Sequence, residues 1–127
     1  MLAPDVGTPL VLVPANPLCG HVLAAAGVQF SAVRSPLEDP AGLSSRIGAV
    51  QAAEALAYFR ARSVADRRQG ARVLGVSTVV KVGDRVFGAP PGRLEAAEML
   101  RAVSGTRHTV VTGVALLDGP RRLIASA

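Results

Sequence analysis

Short apolar runs bounded by proline or glycine alternate along this chain with longer stretches in which apolar residues recur every three or four positions. The runs Leu10–Val13 and Val28–Val33 predict two buried strands. Between them, Asn16-Pro17 is a favoured helix start, because Asn caps well and Pro suits the first helical position. Gly27 is a typical helix stop, so the first helix is expected to end at about Ala26.

A second helix is predicted from Ser44 or Ser45 to about Arg62. Two neighbouring stripes are expected to form its buried face, and they consist of Ile47, Val50, Glu54 and Ala57, and of Ala49, Ala52, Leu56 and Phe59. Together they make a face wide enough to pack on a sheet.

The next stretch predicts a hairpin and then a third helix. Arg72–Val82 and Arg85–Phe87 flank Gly83-Asp84 and are expected to pair as strands. The Gly88–Gly92 segment contains two prolines and predicts a loop. Arg93–Val103 predicts the helix. The residues expected to face inward from it are Leu94, Ala97, Leu100 and Met99.

The remaining chain predicts two more strands. Thr109–Leu117 and Arg121–Ser126 are separated by Asp118-Gly119-Pro120, a turn sequence. The resulting order, β-α-β-α-β-β-α-β-β, indicates an α/β layered fold with a mixed sheet. Since no linker or repeat interrupts it, residues 1–127 are expected to form one domain.

Composition indicates where the protein is located and excludes some kinds of structural site. Cys19 is the only cysteine, which excludes an internal disulfide. No Cys/His group has structural zinc spacing. No apolar run approaches the roughly 20 residues that span a bilayer, and the N-terminus lacks the basic segment of a leader peptide. A cytoplasmic protein with no membrane partner is therefore expected.

The net charge of +5 comes from 14 Lys and Arg against 9 Asp and Glu. A cluster of arginines lies near the end of the second predicted helix and consists of Arg60, Arg62, Arg67, Arg68 and Arg72. Such a cluster is typical of a nucleic-acid patch or of an ordinary solvated helix end. No aromatic residues interleave with these arginines to stack bases, so the solvated helix end is favoured and nucleic acid is not the expected partner.

Three motifs follow one another between Gly75 and Ala115: Gly-x-x-Thr-Val-Val, then Gly-x-Pro, then Met-Leu-x-x-x-Ser-Gly-x-x-His-x-Val-x-Thr-Gly. This succession resembles the Maf-like nucleoside triphosphate pyrophosphatases. The resemblance implies a Maf/inosine-triphosphatase-like fold that lacks the family's C-terminal third. It also implies hydrolysis of a nucleoside triphosphate to a monophosphate and pyrophosphate, with Mg²⁺ or Mn²⁺ as cofactor, and a homodimer or a complementing chain.

Several charged positions of the family carry neutral residues in this chain. The Asp of Gly-Ala-Asp-Thr falls on Ser77, and the Lys of the helical Leu-Ala-x-x-Lys-Ala pattern is assigned to Gln51. The Lys of Gly-Lys-Pro falls on Ala89, and two arginines that follow a Ser-Pro pair fall on Leu18 and Cys19. Arginine grips phosphate oxygens with two parallel donors, which neither Leu nor Cys can do.

The resemblance nevertheless implies a set of site residues. The catalytic candidates are Ser77, Asp39 and Gln51, and the acidic pair Glu38-Asp39 is the weak metal candidate. The nucleotide-binding candidates are Asn16, Thr78, Ala89, Ser104, His108 and Thr112. Each has an ordinary alternative as a helix cap, helix stop, solvated turn or strand residue.

Three functions remain open from the sequence. The first is a family member that retains the scaffold but has weak or no activity, because five charged positions are neutral. The second is an active pyrophosphatase with an altered site. The third is a basic nucleic-acid-binding module that uses the arginine cluster.

Overall fold

The computed structural model describes residues 9–36, 47–88 and 92–127. The elements, in chain order, are β1 (Leu10–Val13), α1 (Pro17–Ala25), β2 (Ser31–Ala32), α2 (Ala49–Ala65), β3 (Arg72–Val82), β4 (Arg85–Phe87), α3 (Arg93–Val103), β5 (Thr109–Asp118) and β6 (Arg121–Ser126). One six-stranded sheet runs in the order β2-β1-β3-β5-β6, and β4 pairs with β3.

The sheet is mixed, as the sequence predicts. β1 is parallel to both β2 and β3, whereas β3 is antiparallel to β4 and β5, and β5 is antiparallel to β6. The predicted hairpin about Gly83-Asp84 is confirmed, and Gly83 has φ of 55°, which favours glycine. The α/β layered architecture and the element order are therefore confirmed.

The two faces of the sheet lie beside different helices. The α2 face carries the alternate residues Val73, Gly75, Val79, Gly113 and Ala115, against which α2 packs. The opposite face, here called the α1 face, consists of Leu12, Leu74, Val76, Thr78, Thr112 and Val114, which lie beside α1. Only α2 is closely packed, because α1 has no buried residue.

Small residues on both sides allow α2 to approach the sheet closely. The buried residues of α2 are Ala49, Ala52, Ala53, Ala57, Ala61 and Val64. A Cβ at Gly75 would overlap the backbone oxygen of Ala57, and a Cβ at Gly113 would overlap the backbone of Ala53. Glycine at these two sheet positions is therefore required by the helix backbone itself rather than by a turn.

This close approach corrects the predicted buried face of the second helix. Ile47, Val50 and Phe59 were expected on the inward stripes, and all three are exposed. A helix whose backbone nearly touches the sheet leaves no room for large side chains between them, so alanines take the buried positions. α2 also continues to Ala65, and its predicted start at Ser44 or Ser45 lies outside the described residues.

Two further expectations are corrected. α3 has the predicted bounds, but none of its residues is buried, and Leu94 and Leu100 are 83% and 66% exposed. No described element covers its apolar side. The predicted strand Val28–Val33 is reduced to the two residues of β2, which pair with Val11 and Leu12 of β1.

The last strand is tied to α2 as well as to β5. The guanidinium of Arg122 lies 5.7 Å from the ring centre of Tyr58, and the hydroxyl of Ser126 donates to Glu54 at 2.9 Å. These contacts attach β6 to the α2 face. Among the described residues, no helix is both long enough and apolar enough to cross a membrane.

Candidate functional site

A cavity of about 290 Å³ lies between α1 and the α1 face of the sheet. Its lining residues are Leu12, Asn16, Leu18, Cys19, Val22, Leu23, Leu74, Val76, Thr78, Thr112 and Val114. Three of the predicted nucleotide-binding residues, Asn16, Thr78 and Thr112, are thus brought together, although they come from three different elements. The other described lining residues are apolar apart from Cys19, and none of the lining side chains in residues 9–36, 47–88 and 92–127 is ionic.

The loop between β1 and α1 fixes one wall of the cavity. The side-chain oxygen of Asn16 accepts a hydrogen bond from the backbone N–H of Leu18 at 3.0 Å, and Pro17 occupies the first helical turn. The predicted cap is therefore confirmed. Leu18 and Cys19, which fall on arginine positions of the family, line the cavity with an aliphatic group and a thiol.

A pair of hydroxyl groups forms the polar part of the opposite wall. Thr78 of β3 and Thr112 of β5 are directly opposite in the antiparallel register, and their hydroxyl oxygens are 3.1 Å apart. One hydroxyl donates to the other, which leaves one hydrogen and free lone pairs for a further partner. The pair can therefore both donate to and accept from a ligand in the cavity.

Ser77 lies on the other face of the sheet from this cavity. Side chains alternate along a strand, so a residue next to Thr78 points towards α2. Ser77 is completely buried and stands opposite Gly113, and its hydroxyl has no hydrogen-bond partner among the residues that the structure describes. Ser77, predicted from the resemblance to occupy the family's Asp position, is thus separated from the threonine pair by the thickness of the sheet.

Gln51 is not part of the cavity either. It is exposed near the start of α2, where its side-chain oxygen accepts from the backbone N–H of Gly48 at 3.3 Å. This hydrogen bond serves to cap the helix. Glu38, Asp39 and Ala89 lie outside the described residues.

His108 and Ser104 lie before the start of β5. Ser104 follows α3 and is exposed, and the Nδ1 atom of His108 lies 3.4 Å from the backbone oxygen of Thr106. His108 borders an open groove that also contains Lys81 and Arg107. Since a strand rises about 3.4 Å per residue, His108 and Thr112 are separated by about 13 Å along the chain.

Arg60, predicted from the sequence only as a member of the arginine cluster, is a basic group beside the β1–α1 loop. Its Nη1 atom donates to the backbone oxygen of Pro14 at 3.0 Å, which places the half-buried guanidinium beside the loop that leads into α1. The signal for it is present in the sequence: residues 56–61, Leu-Ala-Tyr-Phe-Arg-Ala, also fit the family's Leu-Ala-x-x-Lys-Ala pattern, with Arg60 at the lysine.

The described residues do not fit a divalent metal. Across residues 9–36, 47–88 and 92–127, no three His, Cys, Asp or Glu side chains lie close enough together to hold an ion. Hard cations need several oxygen ligands, usually including carboxylates. The metal therefore remains a prediction that rests on Glu38 and Asp39.

The arginine cluster is distributed over different surroundings. Arg60 contacts Pro14, Arg62 pairs with Asp66 at 3.4 Å, and Arg72 is half-buried in β3. Arg67 and Arg68 are exposed after α2. The five arginines therefore have different surroundings. Such a distribution is expected of a helix end and a strand start, whereas a nucleic-acid patch would gather the side chains on one surface.

The comparisons with known proteins agree with one another on the family. The family model described as Maf-like protein matches residues 9–126. A dTTP/UTP pyrophosphatase of Geobacillus sp. (strain WCH70) is 36% identical over 109 residues, which cover 86% of this chain and 58% of that protein. The dTTP/UTP pyrophosphatase of Symbiobacterium thermophilum is 39% identical, with 91% of this chain and 59% of that protein covered.

A solved structure supports the fold. The nucleoside-triphosphatase (dITP/XTP pyrophosphatase) of Mycobacterium abscessus aligns with a TM-score of 0.52 and 15% identity, covering 94% of this chain and 71% of that one. At this identity the likeness concerns the fold alone. The chain spans less than two thirds of the length of the pyrophosphatases named above. On the match over residues 9–126, the chain belongs to the Maf-like protein family.

Proposed function

We propose that this chain binds a nucleoside triphosphate but hydrolyses it to a monophosphate and pyrophosphate weakly or not at all. The observation that carries the proposal is the cavity between α1 and the sheet, whose described lining has three polar side chains and no charged ones. The two relatives described above are named dTTP/UTP pyrophosphatases, so a nucleotide is the ligand class to test first.

The cavity suits the base of the nucleotide better than its phosphates. A nucleobase is flat and largely apolar on its faces, and Leu74, Val76 and Val114 offer aliphatic surface to such a group. The paired hydroxyls of Thr78 and Thr112 offer a donor and an acceptor to the base edge. A triphosphate in the same cavity would lose its hydration without gaining a cationic partner.

The phosphates are expected outside the cavity, towards the loop that precedes α1. Arg60 supplies the nearby positive charge there, through its contact with Pro14. The first N–H groups of α1 carry partial positive charge as well. The nucleotide would therefore lie with its base between α1 and the sheet and its phosphates next to the β1–α1 loop.

Weak turnover follows from the neutral residues around this path. Leu18 and Cys19 supply no charge to the phosphates, and none of the described residues that line the cavity is a carboxylate. Loss of one well-placed stabilising group commonly slows an enzyme by about 10²–10³. Such losses are not additive, but several together leave little catalytic power.

The test compares binding with hydrolysis in the same samples. With dTTP or UTP and Mg²⁺ or Mn²⁺, we expect nucleotide binding by equilibrium dialysis, and pyrophosphate release at least about 100-fold slower than in the Geobacillus relative. Release at the rate of that relative would contradict weak turnover. Absence of nucleotide binding would contradict the whole proposal.

The threonine pair gives a prediction of its own. Thr78→Val and Thr112→Val keep the side-chain shape but remove the hydroxyl, and each is expected to weaken dTTP or UTP binding about tenfold, because a polar group of the base loses its partner. Thr109→Val is the matched control, since Thr109 lies on the same strand outside the cavity. Equal loss of binding in Thr109→Val would argue against the assigned pocket.

An active pyrophosphatase with an altered site is the second candidate, and Arg60 favours it. A cation at this position can offset charge on the phosphates during cleavage. If the chain is active, Arg60→Gln is expected to lower the rate of pyrophosphate release about 100-fold. Arg62→Gln is the control and is expected to leave the rate unchanged, because Arg62 lies two residues later in α2 and pairs with Asp66. Equal effects of the two changes would remove this candidate's support.

A further inference from the structure

An open groove of about 600 Å³ lies at the tip of the β3–β4 hairpin and the start of β5, and it is called the basic groove here. Its described lining residues are Lys81, Gly83, Thr106, Arg107, His108 and Thr109. Lys81 and Thr109 are directly opposite in the antiparallel register, so the sheet itself holds the two sides of the groove together. None of these residues lines the cavity beside α1, and the basic groove is therefore a separate concave surface.

The basic groove is on the α2 face, whereas the cavity is on the α1 face. Val79 and Val111 pack in one cluster with Ala49, the first residue of α2. Lys81 and Thr109 are two residues nearer the hairpin tip on the same strands, and they share this face because side chains alternate along a strand. They lie towards the N-terminal end of α2, which carries partial positive charge and has no acidic residue in its first turn.

Three basic side chains line the groove, and its described lining contains no carboxylate. Lys81 and Arg107 are exposed, and neither forms an ion pair within the part of the chain that the structure describes. Glu98 of α3 is bound by Arg85 at 2.8 Å, and Asp84 of the hairpin turn does not line the groove. Like charges that share a groove repel one another, and a bound anion would relieve this repulsion.

The turn that carries Arg107 and His108 is tied to the end of α3. The hydroxyl of Thr106 is shared between the backbone oxygens of Ala102 and Val103, at 3.1 Å and 3.0 Å. These are among the last carbonyls of the helix, which otherwise lack a partner. The hydrogen bonds both offset the partial negative charge at this helix end and order the turn. A turn that is ordered before binding lowers the entropic cost of holding a ligand.

The charge and shape of the basic groove suit a short chain of phosphate groups. A guanidinium grips phosphate oxygens with parallel donors, an ammonium adds a compact charge, and a doubly protonated imidazole adds a further donor. The volume of the groove is in the range usual for small ligands. Its described lining has no aromatic side chain on which a nucleobase could stack.

We propose that the basic groove binds a small multivalent phosphate compound, of which tripolyphosphate is the simplest probe, through Lys81, Arg107 and His108. The proposal is independent of the proposed function, because the groove and the cavity lie on opposite faces of the sheet and share no described lining residue.

Calorimetric titration of the full chain with tripolyphosphate, in about 0.1 M salt, tests the proposal. Lys81→Gln and Arg107→Gln are each expected to weaken binding about tenfold, because each removes a charge-assisted contact with a phosphate oxygen. Arg121→Gln is the matched control. It removes the same charge from an exposed residue at the other end of β5, about 30 Å from Thr109 along the strand. Charges this far apart are screened at that salt concentration, so its expected effect is below about twofold.

Amide NMR signals locate the ligand independently of affinity. Tripolyphosphate is expected to shift the amide signals of Gly83, Thr106 and Thr109, and Lys81→Gln is expected to reduce these shifts. The amides of Leu18 and Cys19 report on the cavity separately. All three substituted positions are exposed, so the variants are expected to fold, and urea unfolding verifies this.

Three results would overturn the proposal. The first is an effect of Arg121→Gln equal to that of Lys81→Gln and Arg107→Gln, and the second is a set of amide shifts confined to Leu18 and Cys19. The third is binding of sulfate or of a short single-stranded DNA as tight as that of tripolyphosphate, because the groove would then hold any anion or a nucleic acid. Nucleoside triphosphate is absent from all of these measurements, so failure here is distinct from failure of nucleotide binding or hydrolysis.

Discussion

Gly113→Ala is expected to lower the free energy of unfolding by about 3 kcal/mol, at the upper end of the usual cost of overpacking. The added methyl group would overlap the backbone of Ala53 and Glu54 in α2, and backbone atoms cannot move aside as the end of a flexible side chain can. α2 must shift away from the sheet, which opens the contacts that Val79 and Val111 make with its alanines. Urea unfolding followed by circular dichroism measures the change.

Gly92→Ala is the control for this prediction. A Cβ at Gly92 meets only the carboxylate of Glu95, at 3.2 Å, and this side chain can move. Its expected cost is below about 1 kcal/mol, the usual effect of alanine at a helix N-cap. If Gly113→Ala and Gly92→Ala destabilise the chain equally, the close approach of α2 to the sheet is not what glycine at position 113 provides.

Ser77→Asp is the second change with a large expected effect, a loss of about 4 kcal/mol at pH 7. Ser77 is completely buried under α2, and its hydroxyl already lacks a partner. A carboxylate there would lose its hydration and gain no hydrogen bond or cation. Ser77→Ala is the control and is expected to be neutral or slightly stabilising, because it removes an unsatisfied polar group.

The loss caused by Ser77→Asp is expected to depend on pH. Burial raises the pKa of the introduced carboxyl in the folded state above its unfolded value of about 3.9. The unfolded state then releases its proton first, so the free energy of unfolding falls as pH rises above about 4 and levels off beyond the folded pKa. Unfolding curves at pH 4 and pH 7 measure this trend. A variant equally stable at both values would show that the carboxyl reaches solvent or a partner.

The predictions for Ser77→Asp also bear on what a carboxylate at position 77 can do. A carboxylate placed at position 77 alone is expected to destabilise the fold rather than to activate water, because α2 covers that position. Restoration would require α2 to carry a partner for the new charge. The neutral residue at position 77 and the alanine face of α2 therefore depend on each other. A charge introduced at position 77 without a partner on α2 is expected to lower the free energy of unfolding.

The sequence predicts the fold where the signal is local. The Asn16 cap, the hairpin at Gly83 and the bounds of α3 depend on neighbouring residues, and each is confirmed. The buried face of α2 depends instead on Gly75 and Gly113, which lie at least ten residues away in the chain. Helical periodicity places Phe59 on an apolar stripe of α2, but it contains no information about how closely the sheet approaches the helix.

Some residues of the candidate site can also be predicted from the sequence, and others cannot. Thr78 and Thr112 fall on matching motif positions, and antiparallel pairing brings their side chains together. The resemblance assigns Ser77 to the catalytic site because it falls on the Asp of Gly-Ala-Asp-Thr, although strand alternation directs its side chain to the opposite face. Arg60 was not selected, because the pattern on α2 was assigned several residues earlier, and its contact with Pro14 spans two elements.

The contact between Arg122 and Tyr58 gives the chain a built-in optical probe. Tyr58 is the only tyrosine, and the chain has no tryptophan, so its near-ultraviolet emission is not masked by a stronger fluorophore. The guanidinium of the last strand lies 5.7 Å from its ring centre. Detachment of that strand from the helix would change the surroundings of the ring, and the emission would then report loosening at the end of the sheet separately from melting of the remaining fold.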